Sequence, residues 1–312
     1  MRLDRRNRET MKLDKAKSDR KKTERRRKWI QLFSALIYNV NLKGFTDGTI
    51  YQGKLKGLCT PGLNCYSCPG AVAACPLGTL QNALSAVPQK FPFYIFGMLM
   101  LMGLFWGRII CGFLCPFGLI QELLHKIPVP KVRKNRLTRA ATWIKYGVLV
   151  IFVIAIPLWS GWSKGYSMPA FCKYICPAGT LEGGIPLVLT NEMLQHLAGK
   201  LFQWKVLVLI LIVAASMVMY RFFCRFLCPL GAIYSLFAQI SILGIQVNEG
   251  RCNGCGSCVR HCKMDVKKPG DRECIQCGEC MAHCGRQAIN WKNLICREKH
   301  FRLDQWNGKR NR

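Results

Sequence analysis

The chain is 312 residues long and half hydrophobic, yet 46 Lys/Arg stand against 16 Asp/Glu for a formal net charge of +30. Few soluble domains combine these properties, and a small secreted disulfide scaffold is excluded by size. A membrane protein with basic cytoplasmic segments accommodates both.

In chain order, the first segment is a basic arm over 1–28 that holds 14 Lys/Arg. A block of like charge repels itself, so this arm is expected to be disordered or surface-bound. Beside an apolar stretch it binds anionic headgroups of the lipid bilayer and fixes topology, and nucleic acid is not expected as a partner. No small-residue cleavage site follows, so the next segment reads as an anchor.

Four spans are expected in a membrane part over 29–247: Trp29 to Leu42, Phe91 to Ile110, Ala141 to Trp159 and Val206 to Phe223. The first is short and carries Asn39 and Asn41. The last three approach the roughly 20 residues needed to cross hydrocarbon. The arm and the loop with Lys126, Lys131, Arg133, Lys134, Arg136 and Arg139 are basic, whereas the loops after spans one and three are poor in charge. Both termini then face the cytoplasm of a multi-pass protein in the cytoplasmic (inner) membrane.

An internal repeat runs through this part. Arg108-Ile-Ile-Cys111-Gly-Phe-Leu-Cys115-Pro116-Phe-Gly118 matches Arg221-Phe-Phe-Cys224-Arg-Phe-Leu-Cys228-Pro229-Leu-Gly231. On the opposite side, Cys75-Pro-Leu-Gly-Thr-Leu80 matches Cys176-Pro-Ala-Gly-Thr-Leu181. Two copies in one orientation imply a pseudo-two-fold axis along the membrane normal. In Cys-x3-Cys-Pro both sulfurs share one helix face, the proline ends the helix and the glycine permits a turn. Each pair offers two ligands and a [4Fe–4S] cluster takes four, so Cys111, Cys115, Cys224 and Cys228 are expected to hold one at the inner membrane edge. Four buried structural cysteines, or zinc, are the alternatives.

The outer side has Cys59, Cys65, Cys68, Cys75, Cys172 and Cys176. The repeat partner of Cys172 falls at Ala71. One reading is an outer cluster on Cys68, Cys75, Cys172 and Cys176. A second uses Cys59, Cys65, Cys68 and Cys75, and a third pairs the six as disulfides.

The segment 248–290 carries the densest signal, Cys252-x2-Cys255-x2-Cys258-x3-Cys262 and Cys274-x2-Cys277-x2-Cys280-x3-Cys284. This is the ligand pattern of a two-cluster ferredoxin, in which the fourth cysteine of each run ligates the other cluster. Cys252, Cys255, Cys258 and Cys284 would hold the first [4Fe–4S] cluster, and Cys274, Cys277, Cys280 and Cys262 the second. Lys263 and Gly285 stand where such runs usually have proline. Cys296, in a basic tail over 291–312, is given no role.

The arrangement resembles the membrane iron–sulfur subunit of quinol-dehydrogenase modules serving periplasmic nitrate reductase. It is also similar to the membrane half of the nitrous-oxide-reductase accessory flavoproteins. The motifs that carry the resemblance are Cys111/Cys115-Pro116, Cys224/Cys228-Pro229 and the runs from Cys252 to Cys284. It departs in Cys65-x2-Cys68 and Cys172-x3-Cys176-Pro177, and in lacking a flavin-attachment domain before the spans. The resemblance implies a polyferredoxin-type membrane protein.

The expected fold is mostly α: a four-span helical domain with an internal two-fold repeat, followed by an α+β two-cluster ferredoxin-like domain. The expected function is electron transfer between a cytoplasmic donor or quinol pool and a partner redox protein, as a carrier or as part of a quinol dehydrogenase complex. A membrane regulator or metalloenzyme-assembly accessory is the alternative. Arg251, Arg260, Lys263, Lys267, Lys268 and Arg272 would attract an acidic carrier of ferredoxin or flavodoxin type. No b-type haem is expected, because His125 and His196 lie outside the spans.

Overall fold

The computed structural model describes residues 2–85, 92–132, 134–166 and 168–292, which leaves Cys296 outside the described residues. The basic arm is not a separate segment. A single helix, Arg2–Tyr38, runs from it into the first apolar stretch. Charge counting expects repulsion there; a buried ion pair opposes it. Arg27 is 1% exposed and grips Glu122 through both nitrogens at 2.6 and 2.8 Å. The helix then exposes Trp29, Leu32, Phe33 and Leu36. It ends where Asn39 donates to Asn64 at 3.1 Å and Asn41 donates to the Pro69 carbonyl at 3.0 Å. The two asparagines that weaken the first span as a membrane helix thus serve the cysteine loop beyond it.

Among the described residues, two helices are long and apolar enough to cross a membrane, Arg136–Lys164 and Lys200–Val218; Phe93–Phe105 is apolar but shorter. The second expected span is cut at Gly107, whose φ of +49° breaks the helix before a new one, Ile109–Phe113. The fourth stops at Val218, and Arg221 at φ +50° precedes the helix Phe222–Phe226. Outward faces carry Phe93, Phe96, Leu101, Trp143, Val150, Trp159, Leu207 and Ile210. So wide an apolar surface requires a covering that water cannot supply. Residues Leu149–Ala155 and Gly179–Gly184 form wide π-helical turns, a feature common near functional sites.

The cysteine-rich tail is closed by strand β1 (Ile245–Val247) pairing antiparallel with β2 (Ile289–Trp291), with Gln246 opposite Asn290. Short helices Ser257–Arg260 and Glu279–Ala282 lie between them. Charged seams fix this tail to the helical part. Glu273 receives Lys145 at 2.6 Å and Arg108 at 2.8 Å. Asp265 receives Arg139 at 2.9 Å and Arg225 at 3.1 Å.

Glu122 ties three elements together. Besides Arg27 it accepts from the Tyr220 hydroxyl at 2.7 Å and from Arg221 at 2.8 Å. Burial alone would raise its pKa, but Arg221, Arg27 and Tyr220 hold the carboxyl down to about 2. Removing one member of a buried charge network costs about 3–5 kcal/mol. Glu122→Gln should therefore lower the apparent Tm in detergent at neutral pH. The folded-state pKa lies below the ordinary 4.5. The stabilisation is then complete above about pH 4.5 and is lost as pH falls toward 2, so the difference in Tm between wild type and variant should shrink over that window.

Candidate functional site: four groups of cysteines

Each Cys-Pro-x-Gly segment builds the same local structure. Cys115 and Cys228 adopt extended backbone as N-caps of the helices Pro116–Leu124 and Pro229–Phe237. The proline therefore opens the following helix, where it lacks no needed N–H, and does not serve to end the preceding one. The glycine's role is also different: its amide donates to the capping sulfur, from Gly231 to Cys228 at 3.3 Å and from Gly179 to Cys176 at 3.4 Å. Gly78 and Gly118 do the same for Cys75 and Cys115. All four sulfurs thus sit where a helix N-terminus favours negative charge.

The four sulfurs of the paired motifs converge. Cys115 lies in the field of Cys224 and Cys111, and Cys228 in that of Cys224, Cys111 and Cys115. The two halves are cross-wired by matching contacts. The Arg108 guanidinium lies against Gly231, and that of Arg221 against Gly118, each where a Cβ would stand 3.1 Å away.

A second group forms on the other Cys-Pro pair. Cys172 lies in the field of Cys75 and Cys65, and Cys176 in that of Cys172 and Cys75. The fourth thiol is Cys65, not Cys68. The Glu182 carboxylate accepts the Cys65 amide at 2.8 Å, and Gly183 leaves room for the Cys65 sulfur. Cys68 turns away to Asn39 at 3.5 Å, and Cys59 lies 3.9 Å from the Thr79 hydroxyl. The one-loop grouping of Cys59, Cys65, Cys68 and Cys75 is not what the structure assembles. No disulfide links the described cysteines.

In the tail, one cavity is lined by Cys252, Cys255, Cys258 and Cys284. Another is lined by Cys262, Cys274, Cys277 and Cys280, together with Cys258. Both groups join a fourth cysteine to the opposite run. Among the described residues, no three His, Cys, Asp or Glu stand close enough to hold a single metal ion.

The comparisons with known proteins point to iron–sulfur binding. A family model described as a 4Fe-4S binding domain matches residues 91–135, 146–185 and 201–243, and another of that description matches 245–268. An uncharacterized protein of Methanocaldococcus jannaschii is 28% identical over 168 residues, 52% of this chain and 53% of its own. The methylamine utilization ferredoxin-type protein MauN of Paracoccus denitrificans is 25% identical over 197 residues, 60% of each chain. The regulatory protein NosR of Pseudomonas aeruginosa is 26% identical over 178 residues, 54% of this chain and 22% of its own. The chain thus spans between a fifth and three fifths of the length of these relatives. No solved structure matches it. The chain carries 4Fe-4S binding domains and is similar to ferredoxin-type iron–sulfur proteins.

The position six residues after each Cys-Pro cysteine also carries a site residue, and sequence reasoning missed it. Gln121 donates to the Cys224 sulfur at 3.0 Å and accepts the Phe223 amide at 2.9 Å. Gln81 repeats this with the Cys172 sulfur at 3.2 Å and the Phe171 amide at 3.0 Å. Glu182 and Tyr234 hold the same position after Cys176 and Cys228. The match Cys75–Leu80 with Cys176–Leu181 stopped one residue short of this signal.

Burial pushes the Cys115 and Cys172 thiols up to about 12. Deprotonation there calls for a bound cation, and ligation to iron would supply one. Burial likewise raises the Glu182 carboxyl to about 7.

Gln121→Leu strands the buried Phe223 amide, a loss of about 1–3 kcal/mol. A lower Tm with iron content retained is the expected result, read by thermal unfolding alongside iron analysis.

Proposed function

We propose that this chain is a membrane-bound electron relay with four [4Fe–4S] sites in series. The observation that carries this reading is contiguity. The Cys280 thiol lies in the field of Cys258, which links the two tail groups. Ile275, beside Cys274, sets its carbonyl against Gly112, beside Cys111, at a point where any Cβ would collide. The Pro61–Asn64 peptide then touches both membrane groups, as its amides reach Cys115 and Cys75.

When bound, each cluster would accept and return one electron at a potential set by burial, charge and hydrogen bonds to sulfur. The chain's own residues supply those terms. Cys252, Cys255, Cys258 and Cys284 hold the entry or exit site, where Cys255 is exposed, as are Arg251, Arg260 and Arg286 of the same segment. That basic rim suits an acidic carrier. Lys263 is not part of the rim, because it pairs with Glu279 at 3.1 Å. Cys262, Cys274, Cys277 and Cys280 form the next site, followed by Cys111, Cys115, Cys224 and Cys228. Cys65, Cys75, Cys172 and Cys176 form the last, which would hand electrons to a quinone or a partner redox protein.

The matching Arg–Gly and Gln–Cys contacts support a two-fold repeat within a four-span domain. The basic loop after the second span supports a shared cytoplasmic side with the tail, since its Lys134 donates to the Arg260 carbonyl at 3.2 Å and its Arg139 pairs with Asp265.

Iron and sulfide analysis of anaerobically purified protein tests the assignment. Wild type should carry about 16 iron atoms per chain, and Cys65→Ser and Cys172→Ser about four fewer. Cys68→Ser and Cys59→Ser should retain the full complement. Full iron in Cys65→Ser would remove the fourth site.

A further inference from the structure

The two membrane groups of cysteines share one short peptide. The Leu63 amide is directed at the Cys115 thiol, and the next amide, that of Asn64, at the Cys75 thiol. Gly62 presses on the Cys115 backbone, where a Cβ would stand 3.1 Å from its Cα and 3.2 Å from the Leu114 carbonyl oxygen. Leu63 and Asn64 are buried, and Asn39 holds the Asn64 side chain at 3.1 Å.

Tyr234 holds the other end. Its hydroxyl donates to the Pro61 carbonyl at 2.9 Å and lies 3.7 Å from the Met102 sulfur. The ring is fully buried, within the field of Cys111, Cys115 and Cys228 of one group and Cys75 of the other. Gln81, Gln121 and Glu182 each bond within one cysteine group. Tyr234, at the equivalent place, reaches past its own group to the peptide between the two.

We infer that Tyr234 is a positioning residue whose hydroxyl fixes the Pro61–Asn64 peptide so that consecutive amides act on both membrane sites at once. The inference rests on reading those two groups as cluster sites. An amide aimed at a ligating sulfur favours the more negative, reduced form and raises the potential. Two such amides on one rigid peptide link the potentials of the two sites. The exchange this supports is of single electrons, one site losing what the other gains, with no bond made or broken.

The test is an EPR-monitored redox titration of the full, anaerobically purified chain. Tyr234→Phe should retain iron and sulfide, move both membrane potentials in the negative direction together, and leave the tail potentials in place. Gly62→Ala, which displaces the same peptide, should give the same paired shift. Gln121→Leu should move only the site that contains Cys224. Either membrane potential moving alone, or neither moving, in both Tyr234→Phe and Gly62→Ala would overturn the inference. Loss of iron from only one membrane site in both variants would overturn it as well, because a shared peptide must affect the pair. Undiminished iron in Cys172→Ser is a different failure: it removes the second cluster site itself, and the coupling with it.

Discussion

Burying sulfur that must become negative is the constraint on which the rest of this structure depends. An isolated buried charge is prohibitively expensive unless donors and counter-charges surround it. The Cys-Pro-x-Gly segment answers locally, with a helix N-terminus and a glycine amide on each capping sulfur. Arg108 and Arg221 answer at longer range, as fully buried guanidinia beside the paired motifs. Arg108 lies in the field of Cys111, and Arg221 donates to the Cys111 carbonyl. Two buried guanidinia then need their own partners. Glu122 and Glu273 supply them and, in doing so, recruit the N-terminal helix and the tail.

The same economy explains why the ferredoxin-like tail is seated and not tethered. Gly112 has no side chain, so the Ile275 carbonyl can approach the first paired motif. At the repeat-equivalent position stands Arg225, which binds Asp265. One half of the repeat therefore offers the tail a close backbone contact and the other half a charge. This asymmetry fixes which end of the tail faces the helical part.

Local patterns were legible in the sequence, and long-range choices were not. The tail groups follow from cysteine spacing within one short segment, and the four inner thiols from a repeat visible by eye. Cys65 could not be chosen over Cys68, because the choice is made by Glu182, 117 residues away. Arg27 read as one more topogenic charge because its partner Glu122 lies 95 residues on. Asn39 and Asn41 read as flaws in a span because the loop they satisfy folds back from beyond it. Proline read as a helix stop because a stop and an N1 proline look alike until the cysteine before it is seen to cap.

If all four sites are loaded, the seam at Gly112 and Ile275 puts the tail sites and the membrane sites in electronic contact. EPR of the fully reduced chain reads that contact. In wild type, neighbouring paramagnetic clusters should broaden one another's signals and speed their relaxation. In Cys224→Ser the tail signals should persist but narrow and relax more slowly. Tail signals identical in the two proteins would mean that no such contact exists.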